Sequence, residues 1–374
     1  MKYITILLFV AVTTLATYGQ VEKVKGRLFS DTTDLKIINV YPDSFPNISV
    51  VFKAERRNGE PLWNLTKDKM KVQENTQHCN VVSLEQISKN KPINIGIVID
   101  HSGSMQYDDY QLYDKSGNYL LKFDENGSFI YPNNYIAPID NAKSAVKTFA
   151  SSFNTRKDFI SVIGFSRTVD KKLPLTQDIS KINLVVDSMV ADYSTALYDA
   201  MIFGIEEIKN ANGIKVLVVL TDGQDNSSQS KWTDVIERAT ITNIPVYIIG
   251  LGDVNVDILK SIADSTKGQF YFTQSSNSLN TVYAEISRQV QAFYNLVYHS
   301  TNFSSADSSR TIELSFDIDS IYLVTDPVKT TLPLEVVEFI AGKEKEKQYI
   351  LYGGIALCLL VGSGILLFYF KRKK

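Results

Sequence analysis

Residues 93–100 read INIGIVID, an apolar run that stops on a carboxylate and is followed at once by His101, Ser102, Gly103 and Ser104. Apolar side chains at consecutive positions, bounded by polar residues, predict a strand buried on both faces. Such a strand needs a cover on each side, and the following two hundred residues supply it. Strands are expected at residues 93–100, 159–165, 214–221, 245–250 and 269–272, with a short antiparallel edge strand at 169–173. Amphipathic stretches at 139–153, 179–189, 196–210, 231–242, 256–266 and 278–293 alternate with them as helices. The fold class is therefore α/β, a doubly wound and mostly parallel sheet with helices on both faces.

Asp100, Ser102 and Ser104 stand together at the carboxyl end of the first strand, where open sheets of this kind bind ligands. One carboxylate and two hydroxyls suit a hard cation, magnesium, manganese or calcium rather than zinc. On its own D-x-S-x-S is a modest signal, because Asp and Ser crowd turns for ordinary hydrogen-bonding reasons. Two further segments strengthen it. ADYSTALYDA places Thr195 just ahead of a helix, and IKVLVVLTDGQDN is a second buried strand that ends in Thr221 and Asp222. In this order the three segments resemble the von Willebrand factor type A domain with its metal-ion-dependent adhesion site, over roughly residues 92–293.

The resemblance implies a Rossmann-like fold and one divalent cation, magnesium first, with manganese or calcium as alternatives. Ser102, Ser104 and Thr195 would supply hydroxyl oxygens, while Asp100 and Asp222 balance the charge directly or through water. A Glu or Asp of a protein ligand would fill the open position. Thr221 is expected to serve the turn.

Residues 106–137 are a long insertion directly after these ligands. Its turn signals, Ser116-Gly117 and Glu125-Asn126-Gly127, predict a hairpin of residues 119–123 with 128–131. Long insertions beside a site are often functional, and tyrosines make adaptable binding surfaces. Tyr107, Asp108, Asp109, Tyr110, Tyr113 and Tyr119 are the candidate partner-binding residues. The plain alternative is a decorative surface loop. A second ion at Asp108 or Asp109 would resemble the integrin beta-subunit version of the domain, but the acidic pair here stands one residue out of register.

The remaining chain frames this domain. A net charge of −2 with 44% hydrophobic residues describes globular protein and excludes a nucleic-acid partner bound by bulk charge. Residues 1–19 have the layout of a secretory signal peptide, an uncleaved anchor being the alternative. Residues 20–90 read as a small antiparallel β unit with strands at 36–41, 48–54, 70–74 and 80–87 and a turn at Asn58-Gly59. That unit is short of strands, so it is expected to recruit those at 294–300, 311–318 and 321–325, within residues 294–335. It reads as a spacer or as a second recognition surface.

A charged linker at 336–348 precedes an apolar stretch at 349–370, ~33 Å long as a helix and able to cross a bilayer core of ~30 Å. The basic tail, Lys371 to Lys374, would stay cytoplasmic, leaving the metal-binding domain extracytoplasmic, periplasmic or at the cell surface. Cys79 and Cys358 are too far apart in character and position for an internal disulfide, which favours a bacterial envelope protein over a secreted animal domain.

His78, His101 and His299 are scattered, and neither a nucleophile elbow nor a phosphatase-type Asp pair is present. The expected function is a membrane-anchored binding protein, not an enzyme, that uses its cation to hold a carboxylate-bearing protein in adhesion or protein interaction. The alternative is a scaffold subunit of a bacterial envelope complex of the stress-resistance type. A metal-dependent hydrolase is a distant third.

Overall fold

The computed structural model describes residues 33–56, 60–87, 91–114, 116–318 and 321–371, and the expected signal peptide and the Asn58-Gly59 turn lie outside them. Contacts divide the chain into two units, one of residues 86–293 and one of the segments on either side. The first segment supplies four strands, β1 (Thr33–Tyr41), β2 (Asn47–Arg56), β3 (Met70–Glu74) and β4 (Gln77–Gln86).

The α/β unit is built on a sheet of six strands. These are β5 (Ile93–Asp100), then, after a two-residue hairpin of β6 (Lys122–Phe123) and β7 (Phe129–Ile130), β8 (Phe159–Phe165), β9 (Val169–Thr176), β10 (Ile214–Thr221), β11 (Val246–Leu251) and β12 (Phe270–Thr273). Their order is β12-β11-β10-β5-β8-β9, parallel throughout except for β9, which runs antiparallel to β8. Every residue of β5 and β11 is buried, which is why these strands carry no alternation in sequence.

Six helices cover the sheet: α1 (Pro138–Ser151), α2 (Ile179–Asp187), α3 (Leu197–Ile208), α4 (Trp232–Thr242), α5 (Val256–Ser265) and α6 (Leu279–Gln291). α3, α4 and α5 bury Met201, Ile205, Val235 and Ile262 against Val98, Leu217, Val219 and Ile248 on one face. α1 packs with α2 and α6, Phe149 meeting Tyr283 at 5.1 Å. The chain leaves β5 for β8 on one side and later returns to β10 on the other, so the strand order reverses between β5 and β10. A crevice opens there at the carboxyl ends of the strands.

The flanking unit completes its sheet with β13 (Tyr294–His299), β14 (Ser309–Ile318), β15 (Ile321–Val324) and β16 (Val328–Thr331). The order is β1-β2-β13-β4-β3-β14-β15, with β16 on β14. Ile37, Val50 and Phe52 from one end of that path share a core with Val72, Leu314 and Leu323 from the other, so the long sheet folds over on itself.

One expectation is corrected here. Residues 336–348 are not a linker: a single helix, α7, runs Leu334–Lys371. An apolar stripe begins the helix ahead of the charged residues 343–347: Leu332, Val336 and Ile340 recur at four-residue spacing and pack with Phe45 and Phe303 of the same unit. β16, four residues with only every second one half-buried, gives too weak a pattern to be seen in the sequence. The apolar stretch 349–370 lies within α7, most of its side chains outside the described residues. Among the described residues no helix is long and apolar enough to cross a membrane.

Candidate metal centre

Asp100 ends β5 with no exposed surface. The chain turns there as His101 N–H donates to the Phe165 carbonyl at 2.8 Å, and both carboxylate oxygens of Asp100 are engaged. Ser102 N–H donates to Oδ1 at 2.8 Å, and the Thr221 hydroxyl donates to Oδ2 at 2.6 Å across from the neighbouring strand end. In front of this fixed carboxylate the hydroxyls of Ser102 and Ser104 lie 3.1 Å apart, and Ser104 donates to Asp222 Oδ1 at 2.7 Å. Thr195 joins the group at Gly223. A Cβ there would come within 3.3 Å of Thr195 Oγ1 and 3.5 Å of Ser104 Oγ, so the residue after Asp222 leaves space for both hydroxyls by having no side chain. The structure thus gathers Asp100, Ser102, Ser104, Thr195 and Asp222 at the point where the strand order reverses.

The Thr195 loop is fixed by the loop after β10. Thr195 N–H donates to Asn226 Oδ1 at 2.8 Å, and its carbonyl accepts from the N–H groups of Asn226 and Ser227 at 3.0 and 3.1 Å. Ala196 cannot cap α3, and Asp225 does so from the other loop, its Oδ1 accepting from Leu197 N–H at 2.8 Å. Asp199 in the first turn of α3 accepts in return from Gln229 and Ser230 N–H, each at 2.9 Å. Asp225, Asn226 and Asp199 are therefore positioning residues that the sequence reading passed over, and Thr221, expected to serve the turn, also fixes Asp100. For Asp225 and Asn226 the signal was the polar run TDGQDN itself, longer than one turn requires. On the other lip Tyr193 holds a φ of 64°, its carbonyl accepting from Gly103 N–H at 2.9 Å while its ring stands in solvent.

Burial raises the Asp100 carboxyl above the usual carboxylate range, partly offset by the bonds from Ser102 and Thr221. Burial, and then the charge of Asp100, push Asp222 well above it, offset in part by Ser104. Two carboxylates held in this way are relieved by a cation between them. Among the described residues no group of three or more His, Cys, Asp and Glu is placed to hold a metal. A cation here would accordingly rely on the hydroxyls of Ser102, Ser104 and Thr195, an oxygen set that fits a hard divalent ion. His101 turns away: its Nε2 meets Asp170 Oδ1 at 2.7 Å and its Nδ1 the Val190 carbonyl at 2.9 Å.

Residues 136–285 match the family model of the von Willebrand factor type A domain. The matched span begins at the last two residues of the insertion, so it holds Thr195 and Asp222 and leaves Asp100, Ser102 and Ser104 upstream. Among solved structures the chain is similar to a conserved hypothetical protein, BatB, of Bacteroides thetaiotaomicron, at 16% identity over 53% of this chain and 99% of that one, TM-score 0.40. It is similar also to a von Willebrand factor type A protein of Catenulispora acidiphila, at 13% identity over 80% and 72%, TM-score 0.43. A third is proximal thread matrix protein 1 of the mussel byssus with a zinc-occupied MIDAS motif, at 19% identity over 58% and 49%, TM-score 0.42. None of these likenesses assigns a ligand or a partner to this chain. No curated protein matches the sequence.

At the carboxyl-end mouth of the α/β unit a cleft of about 280 Å³ is lined by Ser104, Asp222, Tyr107, Asp108 and Gln274 among others. The insertion forms its rim. Tyr107, Tyr113 and Tyr119 are exposed there, whereas Asp108 is buried. The Asp108 carboxylate accepts from Ser276 Oγ at 2.9 Å and Gln111 Nε2 at 2.8 Å, and its N–H donates to the Tyr135 hydroxyl at 2.9 Å. Asp108 thus pins the root of the insertion to the loop before α6, which corrects its reading as a partner-facing residue. Asp109 and Tyr110 begin a helical turn, Asp109–Leu112, and their side chains lie outside the described residues.

Proposed function

We propose that this chain is a membrane-anchored, extracytoplasmic binding protein whose type A domain holds one divalent cation and through it a carboxylate of a protein ligand. The observation that carries the reading is the chain of oxygens from Ser102 through Ser104 to Asp222, lying in front of a buried, doubly hydrogen-bonded Asp100. When bound, the cation supplies an electrophilic seat for an anionic oxygen, and magnesium, which takes six oxygens and rarely all from one protein, leaves a position for it. Asp100 and Asp222 offset the ion's charge, while Ser102, Ser104 and Thr195 orient neutral oxygens toward it. Binding is favoured over catalysis because both ring nitrogens of His101, the histidine beside the centre, are already engaged. The membrane part of the proposal rests on the apolar stretch 349–370 and the basic residues after it.

The test is affinity capture from native membranes with the full chain, in magnesium and then in EDTA. A protein retained in magnesium and released by EDTA is the expected result, and equal recovery under both conditions would contradict the reading. A captured partner that is itself a subunit of an envelope complex would assign the scaffold role instead of adhesion.

A further inference from the structure

The insertion repeats itself. Residues 113–120 read YDKSGNYL and residues 123–130 read FDENGSFI, an aromatic residue, Asp, a Gly-containing turn and a second aromatic residue, ten positions apart. The two stretches also fold alike. Asp114 Oδ1 accepts from Ser116 and Asn118 N–H at 2.8 Å each, and Asp124 Oδ1 accepts from Asn126 and Ser128 N–H at 2.8 and 2.7 Å. Each Asp N–H donates at 2.9 Å to the carbonyl four residues on, and Gly117 and Gly127 close the turns at φ 81° and 80°. In the same register Tyr113 pairs with Tyr119, rings 5.0 Å apart, and Phe123 with Phe129, rings 5.1 Å apart.

These rings are held in place without being buried. Tyr113 and Tyr119 are each 50% exposed, Phe123 61% and Phe129 45%. Folding alone does not call for such rings on rigid turns, since exposed apolar patches of this kind mark interaction sites. The Phe123–Phe129 rung of this ladder is continuous with the metal centre: Phe129 meets Tyr107 edge to face at 5.8 Å, and Tyr107 lines the cleft with Ser104 and Asp222. Two ring steps, 5.8 and 5.1 Å, carry it from Tyr107 to Phe123, the reach of about three residues of extended chain at ~3.3 Å each.

We propose that the ladder is the second half of the ligand site and that the partner is a protein offering an extended segment. Its Asp or Glu reaches the cation, and a large apolar or aromatic side chain three to four residues away packs on Phe123 and Phe129. This inference rests on the cation reading above and adds the register of the ligand. The apolar side chain follows from the uncharged ring surface, and the extended segment from the succession of ring contacts leading away from the cleft.

The test is selection of a phage-displayed library of random 12-residue peptides on the purified full chain in magnesium, eluted with EDTA. Enriched peptides are expected to pair an acidic residue with an aromatic or large aliphatic residue three to four positions away. Their affinity should fall about tenfold in Phe123→Ser and in Phe129→Ser, ~1.4 kcal/mol. Both variants should keep the wild-type rise in melting temperature on adding magnesium, which shows that the centre is still folded. Acidic peptides without the spaced apolar residue, or undiminished affinity in the variants, would overturn the ladder and leave the cation reading standing. Apolar peptides that survive EDTA yet fail on Phe123→Ser would uphold the ladder and contradict the cation seat. No enrichment at all would overturn the proposal.

Discussion

Thr221 gives its hydroxyl to Asp100 Oδ2 at 2.6 Å with both side chains fully buried. Replacing it by Val keeps the shape and leaves a buried carboxylate oxygen unpaired, so Thr221→Val should cost about 1–3 kcal/mol by denaturant unfolding. It should also weaken magnesium binding, by freeing Asp100 from its fixed orientation. Asp222 sets the pH dependence. Its carboxyl is raised by burial and by Asp100, so in the cation-free protein its protonated form favours folding below the unfolded value, and that contribution is lost as pH rises through the raised one. The cation needs the carboxylate instead. The magnesium-induced rise in melting temperature should therefore shrink as pH falls from neutral toward the ordinary carboxylate range, and a rise that is constant with pH would contradict this assignment. At this scale the candidate residues were legible only from three segments taken together, because Asp and Ser after a strand also serve ordinary turns. The partners of those residues were not, since Thr221 and Asp225 act across 121 and 28 positions of sequence.

The close approach of α3 to the sheet sets the position of Thr195, which stands just before the helix. A Cβ on Gly204 would lie 2.7 Å from Leu217 Cδ1 and 2.8 Å from Val98 Cγ2, so the helix can rest on β5 and β10 only with Gly there. Gly204→Ala gains helix propensity of about 1 kcal/mol and loses more to overpacking against the stiff Val98, for a net loss of about 1–2 kcal/mol. Because the N-terminus of α3 follows Thr195, the same variant should bind magnesium more weakly in calorimetry. The strands that carry the centre were readable as elements because their burial is continuous. The first turns of α7 were not, because Leu334, Val337 and Phe339 stand between Leu332, Val336 and Ile340 and blur the stripe, and Pro333 interrupts it at its start.

For the molecule as a whole, two units of different construction share one chain, and only one of them holds the centre. The flanking unit has its own buried charge pair, Arg310 Nε with Glu74 at 2.9 Å, the two side chains 0% and 1% exposed. Glu74→Ala removes the partner of Nε but leaves Arg310 with Asp307 and the carbonyls of Asn302 and Ser304, so it should destabilise that unit by about 1–3 kcal/mol. The magnesium response of the α/β unit should persist in this variant, and its loss would mean that the two units do not unfold separately. The architecture of the α/β unit was legible because alternating strands and helices allow few topologies. The folded-over path of the β unit was not, since β13 from the far end of the sequence stands between β2 and β4.

The central claim, that Asp100, Ser102, Ser104, Thr195 and Asp222 hold a divalent cation, is tested most directly by thermal unfolding of the wild type, Asp222→Ala and Ser102→Ala across a magnesium titration. Saturating cation should stabilise the wild type by about 2.7 kcal/mol at a hundredfold excess over Kd. Asp222→Ala should start at or above the cation-free wild type, because the repulsion with Asp100 is gone, and show no further rise. Ser102→Ala should also fail to respond. Equal responses to magnesium in all three proteins would show that these residues are not the metal centre.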